Sequence, residues 1–319
     1  MTAPTVSVVI PFYRSEYLHA AIQSVQRQTF HDYEIIVVDD GSPDQPEVEA
    51  WLGADRVRLQ YLRQENQGPA AARNSALRAA RGRFVAFLDS DDTWEPTYLE
   101  EQLAELTRDQ GFDLIYCNAL MMGQPESTRR TLMESTPPRD RITCSDLLQD
   151  DVTVCLSSVV ARREALLEAG LFDERFIHGE DFDLWMRLLK NGGRMAFQPR
   201  VLLNRRLHAD SLSADALNHS ENALLVVEKF RGRSDLTAAE RTAAELRIHS
   251  LQAEAGLERA KRAVASGDFA VATRALSDAN GFYRSWRLKI VGLLLRCCPS
   301  MTAWAIRQRW HTERSTPEK

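Results

Sequence analysis

Several things are scarce in these 319 residues, and each scarcity excludes a class of protein. No apolar run approaches the ~20 residues that a membrane-spanning helix needs. The segment Val6 to Tyr13 is apolar but short and lacks a basic lead-in, so no secretory signal is expected there and the chain should face the cytoplasm. Only five cysteines occur, at 117, 144, 155, 297 and 298. They have no metal-ligand spacing, and an odd set without a framework pattern fits a reducing compartment. The net charge of -5 gives no overall attraction to nucleic acid, so no nucleic-acid partner is expected. No G-x-G-x-x-G follows the first apolar run, which disfavours a dinucleotide-binding dehydrogenase.

What is present is an ordinary globular composition, 44% hydrophobic and 27% charged, in a chain long enough for one large α/β domain with an appendage. Its most telling stretch is Phe84-Val85-Ala86-Phe87-Leu88-Asp89-Ser90-Asp91-Asp92. A short apolar strand runs into three carboxylates within four positions. Such crowding is unfavourable unless a cation sits there. Hard divalent ions take carboxylates together with phosphate oxygens of a substrate, so the block reads as a metal–diphosphate site. Asp92 alone also reads as the cap of a helix starting near Pro96.

The rest of the first two-thirds alternates strand and helix. Strands are predicted at 6–10, 34–38, 57–62, 84–88, 113–118, 154–161 and 201–208. The first helix, carrying Leu18, Ala21, Ile22 and Val25, is expected to be capped by Ser15. Further helices are predicted from Ser42-Pro43, from Gly68-Pro69, from Pro96, over 163–169 and from Gly179, the last with Phe182, Trp185 and Leu189 inward. Residues 119–150, interrupted by Pro137-Pro138, read as an irregular insertion over the site. This order implies an α/β fold with a mostly parallel sheet flanked by helices, in which ligands bind beyond the carboxyl ends of the strands. Tyr13, Asp39, Asp89 and Asp91 all gather at those ends.

Five segments in order, Ser7 to Tyr13, Val38 to Ser42, Asn66 to Asn74, Phe87 to Asp92 and Gly179 to Trp185, resemble a family-2 glycosyltransferase of the GT-A fold, inverting and dependent on an Asp-x-Asp metal site. The resemblance covers about the first two-thirds of the chain. It implies a hexosyltransferase moving a sugar from a nucleotide-diphosphate-sugar donor, a UDP-sugar being favoured, to an acceptor hydroxyl of a glycan or lipid-linked molecule in cell-surface polysaccharide or glycolipid synthesis. Mn2+ or Mg2+ is the implied cofactor. Pro11 and Tyr13 match positions lining the base, Asp39 the carboxylate that recognises it, and Arg73 a base-side or phosphate-side contact. Asp89 and Asp91 match the Asp-x-Asp pair, Asp89 toward the ribose and Asp91 toward the metal. His208, ending a strand after Arg205-Arg206, matches a histidine that touches metal or diphosphate. Glu180-Asp181 matches the motif that carries the general base, with Asp181 the candidate; its place at a helix start favours the ionised form. Glu180 and Asp183 remain alternatives, although Asp183 is also spaced to pair with Arg187. Arg14 departs from the family, which often has asparagine there.

Two other readings compete: a sugar-phosphate nucleotidyltransferase, which would show a glycine-rich basic loop after strand one, and a non-catalytic nucleotide-sugar-binding protein. Gln308-Arg309-Trp310 lacks the Gln-x-x-Arg-Trp spacing of a processive synthase.

Residues 1–213 are thus expected to form the catalytic domain and 214–319 a helical C-terminal extension. In the latter, 253–265 and 269–279 read as a helical pair turning at Ser266-Gly267-Asp268, like one tetratricopeptide unit packed on the catalytic domain. From Trp286 to Trp310, Leu288, Val291, Leu294 and Leu295 sit among Arg284, Arg287, Lys289, Arg296, Arg307 and Arg309. That is the chemistry of a helix in an anionic interface, giving peripheral contact with the inner membrane face, or equally of a packed helix with a solvated basic face.

Overall fold

A computed structural model describes residues 3–14, 16–43, 48, 58–108, 111–123, 129–135, 142–150, 152–208 and 215–305. The Ser15 cap, most of the helix expected after Ser42-Pro43, Pro137-Pro138 and Trp310 lie outside these. The chain divides into two compact units, Met1–Ala209 and Asp210–Lys319.

In the first unit, β-branched runs form β1 (Val6–Phe12) and β2 (Tyr33–Asp40), every residue of both buried. Helix α1 (Leu18–Gln26) connects them. Then come β3 (Leu59–Gln64), α2 (Pro69–Ala79) and β4 (Phe84–Phe87). These four strands are parallel, in the order β3-β2-β1-β4. Gly82 lets the chain enter β4 against β1, since a Cβ there would lie 2.5 Å from the Ser7 nitrogen. The same corner is tied by Glu34, a buried residue of β2, which accepts from the Ser7 hydroxyl at 2.7 Å and from the backbone and guanidinium of Arg81.

The second half of the sheet comprises β5 (Thr93–Trp94), β6 (Leu114–Met122), β7 (Val159–Arg162) and β8 (Met195–Arg206), completing the order β3-β2-β1-β4-β7-β6-β8-β5. Four of the seven pairings are parallel; β7 runs antiparallel to both of its neighbours and β5 antiparallel to β8. Helices α3 (Tyr98–Arg108), α4 (Leu132–Ser135), α5 (Cys144–Leu148), α6 (Arg163–Glu168) and α7 (Glu180–Lys190) complete the unit.

Three expectations change here. The strand expected over 154–161 begins as a 3-10 turn at Leu156–Ser158. The Ser157 and Ser158 carbonyls are taken by Trp94 Nε1 and Gln102 Nε2, both at 2.7 Å, instead of by a neighbouring strand. The insertion over 119–150 holds the end of β6 as well as α4 and α5, the latter started by a Thr143/Asp146 capping box. In α7 the inward residues are Leu184, Trp185 and Leu188, while Phe182 and Leu189 are only half-buried. The helix is turned because Glu180 and Asp183 occupy its buried face, each held by an arginine.

The second unit is helical: α8 (Ala216–Arg231), α9 (Ala238–Ser266), α10 (Phe269–Tyr283) and α11 (Trp286–Cys297), each packed on the one before. Gly267 closes α9 in the left-handed region at φ +86°, and Asp268 caps α10 through the Val271 N–H. Small residues let α9 and α10 approach closely; a Cβ on Gly256 would sit 3.2 Å from Ala279. No helix among the described residues is long and apolar enough to cross a membrane.

Candidate functional site

The carboxyl ends of β1, β2 and β4 converge because these strands are parallel neighbours. Pro11 stays buried within β1, opposite Val38, and Tyr13 emerges beyond the strand, 46% exposed. At the end of β2, Asp39 is fully buried. It accepts from Ser42 N at 2.6 Å, from the Tyr61 hydroxyl at 2.6 Å and from Arg63 at 3.1 Å. Arg63 is 38% exposed, so it is the solvent-side partner of this carboxylate. Asp40 takes the N–H groups of Gln67 and Gly68, fixing the start of α2. Gly41 turns the chain between them at φ +76°, where a Cβ would meet Asn66 N at 2.7 Å.

Beyond β4, Asp89 and Asp91 are partly exposed and Asp92 is 4% exposed. Asp92 does not cap α3. Its Oδ1 accepts from Arg206 N at 2.8 Å, which anchors the end of β8 to the carboxylate loop. Arg206 Nε also donates to the Asp91 carbonyl, and its guanidinium lies 4.4 Å from the Tyr17 ring centroid. Burial pushes the Asp92 carboxyl up to about 7, with the charges of Asp89 and Asp91 adding to it. Two residues past Arg206, His208 Nε2 comes within 2.9 Å of Asp91 Oδ2. The strand end and the loop, 117 positions apart, thus bring one nitrogen and one oxygen donor together.

Among the described residues there is no cluster of three or more His, Cys, Asp or Glu poised as a closed metal cage. An open pair, Asp91 with His208, suits a divalent ion completed by substrate oxygens.

Arg73 is the hinge of the site. On α2 yet only 5% exposed, it donates to Asp89 at 2.7 Å and to Glu180 at 2.5 Å. Burial opposes its charge, but Asp89, Glu180 and Asp181 more than compensate and hold it protonated. Asn74 beside it grips the backbone of Phe172 twice, its Nδ2 donating to the Phe172 carbonyl and its Oδ1 accepting from the Phe172 N–H, each at 2.9 Å, and it also donates to Glu174. This fastens the segment leading to α7. Gly179, at φ +76°, then turns the chain so that α7 starts on Glu180-Asp181.

The three acids of that turn are treated differently. Glu180 is 7% exposed and paired with Arg73. Asp183 is 4% exposed and paired with Arg187 at 2.8 Å, whose guanidinium also holds the Ala169 and Leu171 carbonyls. Asp181 makes no ion pair among the described residues and accepts from the Phe182 N–H at 2.7 Å. Burial raises the carboxyl groups of both Glu180 and Asp181, with the cation of Arg73 opposing it in each. For Asp181 this runs against the ionisation expected from the helix start alone: lost hydration outweighs the dipole and the Phe182 N–H. The geometry thus joins Asp89, Arg73, Glu180 and Asp181 in one chain, with Asp91 and His208 beside it, whereas Asp39 and Tyr13 lie at the neighbouring strand ends. Asn74 and Ser157 were not anticipated as site residues, although Asn74 stood within a recognised segment; Asp92 closes another such segment, and its place here is to hold the end of β8.

Residues 7–170 match the model of Glycosyl transferase family 2. A UDP-Glc:alpha-D-GlcNAc-diphosphoundecaprenol beta-1,3-glucosyltransferase (WfgD) of Escherichia coli is 32% identical over 213 residues, 66% of this chain and 80% of that protein. Among solved structures, S. aureus TarS 1-349 in complex with UDP-GlcNAc superposes with TM-score 0.59 at 19% identity, covering 97% of this chain and 92% of that one. The mannosyltransferase PcManGT of Pyrobaculum calidifontis, in complex with GDP-Man and Mn2+, gives TM-score 0.62 at 19% identity, covering 97% and 88%. Other relatives are longer. The chain spans 38% of an uncharacterized glycosyltransferase of Rickettsia felis, at 28% identity over 71% of this chain, and 54% of a longer TarS chain.

Proposed function

From the premise that this chain belongs to glycosyl transferase family 2, with a GT-A fold, we propose that it is an inverting, metal-dependent hexosyltransferase using a UDP-sugar. The acceptor is a hydroxyl of a lipid-linked or growing glycan in cell-surface polysaccharide or glycolipid synthesis; the Escherichia coli relative is named for transfer to a diphosphoundecaprenol-linked sugar. The observation that carries this reading is the chain Asp89–Arg73–Glu180. It ties the donor-side carboxylates to the helix turn that presents Asp181, which has no ion pair among the described residues.

Each residue has a task. Asp39, with Tyr13 beside it, takes the imide N–H of the base once Arg63 swings off its Oδ2. Pro11 shapes the floor of that position from within β1. Asp89, oriented by Arg73, accepts from the ribose. Asp91 and His208 would hold a divalent ion, which when bound would supply Lewis-acid stabilisation of charge on the departing diphosphate. Asp181 removes the proton of the acceptor hydroxyl as its oxygen attacks the anomeric carbon from the face opposite the leaving UDP. A carboxyl group raised toward neutrality by burial suits a base better than an ordinary exposed aspartate. Glu180 fixes Arg73, and Asp183 fixes the helix through Arg187.

The test is calorimetric titration with UDP, with and without Mn2+, followed by a screen of UDP-sugars for hydrolysis and transfer. Mn2+ should strengthen UDP binding, and Asp91→Ala should abolish that strengthening while retaining metal-free binding. UDP binding indifferent to Mn2+ and chelator would remove the metal assignment. Binding without turnover of any sugar nucleotide would favour a non-catalytic binding protein.

A further inference from the structure

The C-terminal helix α11 is apolar on two opposite faces. One face carries Leu288, Val291 and Leu295 into a cluster with Ala260, Ala263, Val264, Ala272, Leu276 and Ala303. That face explains why the helix folds onto α10. The opposite face carries Trp286, Ile290 and Leu293 at helical spacing, 66%, 44% and 59% exposed. The stripe continues past a break at Cys298 into a helical stretch at 299–305, where Met301 and Trp304 are 69% and 64% exposed. A surface helix normally turns polar residues outward, so a second apolar stripe of this length calls for a partner.

The charges say which partner. Arg287, Lys289 and Arg296 border the outer stripe, and Arg287 lies 5.7 Å from the Trp286 ring centroid. From residue 279 to residue 312 there are six lysines and arginines and no aspartate or glutamate. A protein partner's face is usually mixed in sign. One-sided positive charge flanking apolar side chains, with tryptophan at either end, complements a surface that is anionic outside and apolar within. We propose that the stripe formed by Trp286, Ile290, Leu293, Met301 and Trp304, with its basic border, docks the protein on an anionic lipid bilayer, the helix lying in the plane of the headgroups. This rests on no property of the sugar-transfer site, and vesicle binding is measured without donor, so either reading can fail alone.

The experiment uses the full chain with vesicles of phosphatidylcholine, pure or containing about 30% phosphatidylglycerol, a charge density at which each bound cation counts. The protein should cosediment with the anionic vesicles, with a blue shift of tryptophan fluorescence, and bind neutral vesicles more weakly. Substituting Arg287→Gln, Lys289→Gln and Arg296→Gln together should weaken binding by about fivefold per residue, roughly 100-fold in all. The combined change Ile290→Ser, Leu293→Ser and Trp304→Ser leaves the buried face intact and should weaken it by on the order of 100-fold or more. The proposal is overturned if the full chain stays in solution with anionic vesicles, or if the serine variant binds them like the parent. It is equally overturned if sedimentation velocity shows a self-associated species that the serine variant dissociates while vesicle binding is absent, for then a second copy covers the stripe.

Discussion

Replacing Arg73 by methionine keeps an unbranched stem and removes the guanidinium and its charge. The loss is set by what remains. Glu180, whose side chain is 9% exposed, keeps a carboxylate in a dry site without its cation, whereas Asp89, at 36% exposed, can turn to water. Removing one partner of a buried ion pair costs about 3–5 kcal/mol, and nearly all of it should fall on Glu180. The penalty must depend on pH. Burial already holds Glu180 above its ordinary value of 4.5, and without Arg73 it rises further. In the window from 4.5 up to that higher value the folded variant holds a proton that the unfolded chain has released, so stability falls as pH rises. Urea unfolding of Arg73→Met should therefore show its smallest deficit near pH 4.5 and a growing one toward pH 8. Fluorescence suits the assay, because Trp185 and Trp94 are buried in the same unit while Trp286 and Trp304 are exposed. Adding Glu180→Leu removes the stranded charge and should recover most of the loss, since apolar replacement of both partners is often neutral. A deficit under about 1 kcal/mol that ignores pH would refute the claim that Arg73 is the charge centre of this site.

Asp181→Asn should leave UDP affinity nearly intact and lower turnover by ~10²–10⁴-fold, with Glu180→Gln and Asp183→Asn perturbing stability more than proton transfer. Normal turnover in Asp181→Asn would move the base elsewhere. Asp92→Asn keeps an acceptor for Arg206 N while removing a carboxyl group raised to about 7. In metal-free protein the parent should lose stability as pH rises from the ordinary 3.8 to about 7, and the variant, which keeps only the contributions of Glu180 and Asp181, should lose less. Parallel pH profiles of the two would show that Asp92 is not buried as an acid.

The alternation of β-branched runs with helical periods was enough to specify α/β architecture, because burial on both faces of a parallel strand leaves a local mark in residue type. The same holds for the carboxylates after Phe87 and for the Gly179-Glu180-Asp181 turn, whose spacing is local chemistry. What the chain could not announce is which distant groups share a proton or a charge. Arg73 looks like any helical arginine until α2 and α7 are set beside β4, and then it is a buried cation between two carboxylates. Asp92 reads as a helix cap until β8 arrives with a backbone N–H for it, and Glu180 joins the inward face of α7 only because Arg73 reaches it from α2. Local pattern dictates the elements, since periodicity and capping act within a few residues. Only tertiary contact decides desolvation and pairing, since both depend on groups 100 or more positions apart, such as Arg73 and Glu180 at a separation of 107.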